Sequence, residues 1–458
     1  MTMNDTAKTW KMLNRCLTVM IVTTAVAGCG GGSDSSEPTT GAPLGTAPAP
    51  APGPAPDLGS APTGARVLYF SDCQSGAASG CLPGSNGNAG TSASAPKQDL
   101  SGIDLDALPA GSRLLFARGG VWSNFRVSLR NLNATPSNPI VFDSYAASWG
   151  GTAQPWLMNG GGIAFNFGAF NDTVADGGYT IRNLKLDGRG IAGSWGVFLS
   201  NETRNVTLEN LDISGFFIGV HSQNNGATGN TALVVRNSNI HNNSEHGILG
   251  DATDLVIEGN TIADNNMDGG PREHGIYLGG HGRNGVIRNN TFSNNSAPGG
   301  VCSGGNLTVH GQWDGLLIEG NTIQQAASTG GCYGISITPG YDLPEFFRNV
   351  VIRGNTITNL GGCAVCAGAA PGILVEGNRI FNSQATYQTG VVLGANVDGG
   401  GSRPAPGDAA DAGGVVRNNI VCFTQPAGGS SAVAAFGGLA TGNVYLTGAA
   451  AAAGVCAR

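Results

Sequence analysis

One six-residue run recurs nine times between residues 181 and 421, and no other feature of the chain limits its fold so strongly. The copies begin at Ile181, Leu208, Val235, Ile257, Ile287, Ile318, Ile352, Val375 and Val416. Ile257-Glu258-Gly259-Asn260-Thr261-Ile262 is typical, and the last copy is degenerate. Successive spacings are 27, 27, 22, 30, 31, 34, 23 and 41 residues. Such drift excludes a rigid short-repeat solenoid but suits coils of constant cross-section joined by loops of variable length. No coil can bury its own apolar face, so neighbours must stack. Asn260, Asn290, Asn321, Asn355, Asn378 and Asn419 occupy one position in six consecutive copies. Stacked in a turn, such amides hydrogen-bond one another and satisfy the turn backbone.

A second pattern, Gly-apolar-x-apolar, falls later in each coil: at Gly196, Gly219, Gly247, Gly275, Asn306 (in place of Gly) and Gly334. The apolar residues flanking x point inward, so x points out. The outward column therefore reads Phe198, His221, Leu249, Tyr277, Thr308 and Ser336. With 76 glycines, 12% charged residues and no long stretch of helical periodicity, one elongated repeat body fits better than several domains. A net charge of −7 argues against nucleic-acid binding.

Upstream of the repeats come Gly90-Thr91-Ser92 with Pro96, then Leu114-Leu115-Phe116 with Arg118-Gly119 and Trp122, then Asn138-Pro139-Ile140-Val141-Phe142. In this order, and with the asparagine column, they resemble right-handed parallel β-helix proteins of the pectin-lyase-like superfamily. The resemblance covers residues 65–458. It implies an all-β, single-stranded right-handed parallel β-helix of about 10–12 coils with an asparagine ladder between its second and third sheets. It also implies that the Gly-apolar-x-apolar strands form the first sheet, over which relatives bind sugar chains. Entry coils are expected at 65–178, regular coils at 179–420, and a last coil with its cap at 421–458.

Residues 1–28 have a basic start, an apolar run from Leu17 to Ala27 and small residues before Cys29, the pattern of a signal peptide. Ala27-Gly28-Cys29 resembles a bacterial lipobox, which implies a lipidated Cys29 and an outer-membrane lipoprotein held by its lipid alone. Residues 29–64, rich in Pro, Ala and Gly, read as a tether reaching on the order of 100 Å. Eight further cysteines, an even number in an exported chain, suggest the pairs Cys73–Cys81, Cys302–Cys332, Cys363–Cys366 and Cys422–Cys456. The CxxC at 363–366 lacks a helix or a second CxxC and is read as structural.

All six histidines lie between His221 and His310. Pro271-Arg272-Glu273-His274-Gly275-Ile276-Tyr277 echoes Glu245-His246-Gly247-Ile248, 28 residues upstream, each setting an acid and an imidazole before a first-sheet strand. A His before Gly-Ile can equally close a turn, but clustering favours a site. β-Elimination of a uronic-acid polymer needs a base, a carboxylate neutraliser and a proton donor. The assignment is His274 or His246 as base, Arg272 as neutraliser and Tyr277 as acid. His221, Glu245, Glu273, His281, His310 and Tyr333 are expected to bind substrate. Lys185 aligns with Thr261 on the third sheet and is set aside. Hydrolysis would need two facing carboxylates; Asp251, Asp264, Asp268, Glu245 and Glu273 are near enough in sequence. However, neither the Asn-Thr-Asp of polygalacturonase-like hydrolases nor the Asp-Pro-His of alginate epimerases is present. A non-catalytic glycan-binding or structural surface lipoprotein is the rival from another class. No zinc-type spacing occurs, and calcium bridging a uronate stays open without a recognisable loop for it.

Overall fold

The computed structural model describes residues 59–453 and 456, apart from 170–173, 201, 224–228, 297–301, 303, 327–331, 341–343, 395–402, 405–412 and 436–437. All of these belong to one compact unit, Ala49–Arg458. The signal-peptide, lipobox and Cys29 readings lie outside the described residues, as does the tether up to residue 58.

Each regular coil contributes three short strands, one to each of three parallel sheets. The first sheet has 11 strands, from Val127–Leu129 to Ser431–Ala435. The second has 14, from Val67–Phe70 to Leu439–Thr441, with Arg403–Pro404 pairing onto Pro344–Arg353 off the main path. The third has 12, from Val121–Trp122 to Val444–Thr447. The chain is an all-β, right-handed parallel β-helix. Upstream, the first strand spans Val67–Phe70. The apolar run from Arg113 to Trp122 divides, with Arg113–Ala117 in the second sheet and Val121–Trp122 in the third. A helical turn, Gly448–Ala452, follows the last strand and buries Ala451.

The early coils are filled by aromatic rings, such as Phe70 on Phe116 at 5.2 Å and Phe167 on Tyr179 at 4.8 Å. Later coils stack aliphatic side chains; Ile257, Ile287, Ile318 and Ile352 are all fully buried. Stacking is how a coil with one apolar stripe acquires a core.

The asparagine column forms the expected ladder. Each Nδ2 donates to the Oδ1 of the next coil's Asn, from Asn260 through Asn419 and on to Asn443, at 2.9–3.0 Å. The other Nδ2 hydrogen goes to a backbone carbonyl of the preceding strand, as from Asn321 to Ile287. The residue before each rung has positive φ: Gly259 (66°), Asn289 (56°), Gly320 (64°), Asn418 (56°). Only Gly, or Asn among the rest, takes that conformation readily, which explains the Gly-Asn and Asn-Asn pairs of the repeat.

On the outer face of the second sheet, charges alternate through ten coils: Asp143, Arg182, Glu209, Arg236, Glu258, Arg288, Glu319, Arg353, Glu376 and Arg417. Consecutive members are cross-strand partners or ion pairs. Examples are Arg288–Glu258 at 2.6 Å and Arg353–Glu319 at 2.7 Å. A slip of one coil would set like charges against each other, so this column reinforces the register. All four disulfides pair as the spacing suggested.

Candidate functional site

The outward column of the first sheet is real: Phe198 pairs with His221, then Leu249, Tyr277, Thr308, Ser336 and Cys366 in consecutive coils. The glycine three positions before the second apolar residue exists because its side-chain space is taken. A Cβ on Gly247 would lie 2.6 Å from the Gly275 carbonyl and 3.0 Å from Asn265 Nδ2. One on Gly275 would lie 2.7 Å from the Asn306 carbonyl and 2.8 Å from Asn295 Cγ. Those asparagines form a second, interior ladder, Asn243–Asn265–Asn295–Asn306, at 2.8–3.2 Å. It braces the turn that delivers His246 and His274. Sequence reading missed it, although Asn243, Asn265 and Asn295 each stand five residues after Ser238, Asn260 and Asn290.

Four of the proposed residues meet over this turn. The His246 and His274 rings stack at 5.7 Å, and each stacks on Tyr277, at 5.6 and 5.1 Å. His310 meets Tyr277 edge-on at 5.4 Å. A groove of about 440 Å³ beside them is lined by His274, Thr308, His310, Tyr333, Ser336 and Thr338, among others.

Hydrogen bonds fix the tautomers. A backbone N–H can only donate. His246 Nδ1 receives the His274 N–H at 3.1 Å, and His274 Nδ1 receives the Gly305 N–H at 2.7 Å. Both Nδ1 lone pairs are therefore engaged, and each neutral ring carries its proton on Nε2. Burial keeps both rings neutral: His246 is 6% and His274 7% exposed. The His246 pKa falls to about 3 through desolvation and its proximity to His221; that of His274 falls well below the imidazole range through burial, His246 and His310. The base role expected of His274 or His246 would need a lone pair that these bonds already engage. Each is a neutral N–H donor whose lone pair already serves the next coil. His310 has the opposite tautomer. Its Nδ1 lies against the Thr338 carbonyl, which accepts only, so the lone pair is on Nε2. Burial lowers its pKa, and the bond to Thr338 partly offsets this.

The remaining expected residues scatter more widely. Tyr333 is exposed at the groove wall. His221 packs edge-on against Phe198 at 4.9 Å, two coils from Tyr277, and burial lowers its pKa to about 4. Glu245 and Glu273 lie just before the two histidines. The Glu245 pKa rises to about 7 through burial and the nearby Glu273 and Asp268; that of Glu273 is also raised, by burial first. Arg272 is exposed in the same loop. His281 is exposed at the start of a second-sheet strand, His281–Arg288. His241 leaves the cluster altogether: it sits on the third sheet, 3.4 Å from Asp212. Lys185 is also on the third sheet, with its ammonium 4.8 Å from the Trp156 ring. Of the other acids, Asp251 is buried and accepts the His281 N–H, and Asp264 accepts from Asn294 Nδ2 on the third-sheet side. Among the described residues, no group of three or more His, Cys, Asp or Glu is arranged to hold a metal ion.

Residues 173–338 match the family model described as "Right handed beta helix region". Sequence comparison with curated proteins returns no match. Among solved structures, the Dettilon tailspike protein is similar at a TM-score of 0.52 and 13% identity, over 74% of this chain and 62% of that one. The chain thus spans less than two thirds of the tailspike. A GH136 lacto-N-biosidase from Eubacterium ramulus follows at 0.48 and 12%, over 83% and 68% of the two chains. Pectate lyase Pel9A gives 0.42 and 13%, over 83% and 80%. At these identities the likeness is one of fold, and the two lower TM-scores add nothing to it.

Proposed function

We propose that the first-sheet groove binds a polysaccharide and that the protein is a lyase cleaving a uronic-acid-containing glycan by β-elimination. The observation that carries this reading is the His246–His274–Tyr277 stack facing His310, which brings two neutral N–H donors, a phenol and an oppositely protonated imidazole to one place. His310 Nε2 takes the proton from the carbon beside the uronate carboxylate. The electron pair forms a carbon–carbon double bond, the glycosidic C–O bond breaks, and the departing oxygen takes the Tyr277 proton. The Nε2–H groups of His246 and His274, with Arg272, polarise the carboxylate and so make the carbon acidic. His310 ends protonated and Tyr277 deprotonated; exchange with water restores both. The lipobox supports attachment through Cys29 at the outer membrane.

One observation favours a second reading, glycoside hydrolysis. Glu245 and Glu273 each directly precede the histidine of adjoining first-sheet strands and act on one another electrostatically, and Glu245 has the raised pKa of a proton donor. The purified protein, incubated with uronic-acid polysaccharides, separates the two. Unsaturated uronide absorbance that is lost in His310→Ala and Tyr277→Phe supports elimination. New reducing ends without that absorbance, lost in Glu245→Gln, replace it with hydrolysis.

A further inference from the structure

The edge of the groove has its own register. Trp195, Ile218, His246 and His274 are cross-strand neighbours or successive register equivalents, and three residues after each come Phe198, His221, Leu249 and Tyr277. Trp195 and Phe198 therefore occupy, three coils earlier, the two positions that His274 and Tyr277 hold at the centre of the stack. Three coils are about 14 Å along the groove. The earlier pair is aromatic and uncharged. Phe198 meets Trp195 edge-on at 6.1 Å, Phe217 flanks Trp195 at 6.3 Å, and His221 closes the patch against Phe198 at 4.9 Å. All four rings are partly exposed. The outward column through this region, Asn166, Phe198, His221 and Leu249, carries no acid, Lys or Arg. His221 remains neutral there, since burial holds its pKa near 4.

We propose that Trp195, Phe198, Phe217 and His221 form a sugar subsite for a neutral residue of the polymer, presented with its apolar C–H face on the rings. The inference rests on the reading that this groove binds polysaccharide, and it narrows the substrate from a homopolyuronate to a mixed polymer of uronate and neutral sugars. A carboxylate seated here would exchange water for aromatic edges and a neutral imidazole, with no cation in the column to offset its desolvation. The C–H face of a neutral hexose or 6-deoxyhexose loses nothing of that kind and gains contact with flat rings. Two buried polar atoms in the patch, Trp195 Nε1 and His221 Nδ1, have no hydrogen-bond partner. Either ring has to turn slightly to offer its nitrogen to a sugar hydroxyl, and it gains a missing bond by doing so.

The test uses the full chain carrying His310→Ala, so that binding is read without cleavage. Titration calorimetry compares uronate oligomers with oligosaccharides of equal length that alternate uronate and neutral hexose. The expected result is about tenfold tighter binding of the mixed oligosaccharide, reduced to parity by Phe198→Ala and nearly so by Phe198→Leu, which keeps apolar bulk but not the flat face. Trp195 fluorescence should shift on binding the mixed oligosaccharide alone. Equal affinity for both ligands, or a preference untouched in folded Phe198→Leu protein, overturns the subsite. The two proposals fail separately. Phe198-dependent binding with no bond cut by the native chain keeps the subsite and removes the lyase; cleavage of homopolyuronate that ignores Phe198 does the reverse.

Discussion

His246→Asn tests the tautomer argument through stability. The native ring is neutral with its Nδ1 accepting the His274 N–H, and its pKa lies near 3 against 6.5 for a free imidazole. A folded pKa below the unfolded one means that the unfolded chain binds the proton first as pH falls. The contribution is therefore complete above about pH 6.5 and is lost as pH drops toward about 3. Between pH 7 and pH 5 the linkage relation gives a loss of about 2 kcal/mol from this one residue. That figure hardly depends on the folded value provided it lies below about 4. Asn retains an acceptor oxygen near the position of Nδ1 and does not titrate. Urea unfolding at the two pH values should show the native chain losing about 2 kcal/mol more than His246→Asn; carboxylates common to both, Glu245 among them, cancel in the difference. His221, with its pKa near 4, predicts that the native chain likewise loses about 2 kcal/mol more than His221→Asn over the same interval. Identical losses in native and His246→Asn chains would refute the buried neutral ring. So would a nitrogen NMR spectrum placing the His246 proton on Nδ1.

Asn321→Ala removes the acceptor for Asn290 N–H and Nδ2 and the donor to the Ile287 carbonyl. These three buried groups and Asn355 Oδ1 each lose a partner, so urea unfolding should register a loss of about 3–6 kcal/mol, with far less from Asn443→Ala at the half-buried end of the ladder. Glu319→Lys sets a cation between Arg288 and Arg353; both arginines are exposed, so urea unfolding should register only a small loss, which should vanish in molar salt. Gly247→Ala forces a Cβ against the Gly275 carbonyl and Asn265. It should destabilise by about 1–3 kcal/mol and also reduce sugar binding, because the displaced turn carries His246.

The ladder and the coil register were legible because each depends on backbone geometry that repeats at a fixed offset. A turn that needs a left-handed residue and then an amide admits few residue types, so Gly259-Asn260 and Asn289-Asn290 announce it. The interior ladder follows the same logic five residues later but covers only three regular coils, and it emerges once Asn265 and Asn295 are seen to fill the space that Gly247 and Gly275 leave. The charge column on the second sheet was present in the same nine runs as alternating Arg and Glu. Its meaning required knowing that those positions are cross-strand neighbours rather than merely equivalent.

The histidines mark where sequence reasoning stopped, and the reason is chemical. Clustering of six imidazoles between His221 and His310 suggested one site, yet the three-sheet path sends His241 to the third sheet and His281 to the outer start of a second-sheet strand. Among those that do converge, the residue type is the same on both sides of the site, but what each ring offers is set by one hydrogen on one nitrogen. That hydrogen is assigned by a partner in another coil: the Gly305 N–H for His274, the Thr338 carbonyl for His310. A donor partner turns the ring into a hydrogen-bond donor at Nε2; an acceptor partner turns it into a base there. Exchanging the two partners would exchange hydrogen-bond donor and acceptor at Nε2 without altering a single histidine in the sequence. The placement of each proton therefore belongs to the stacking of coils, and only a three-dimensional register reveals it.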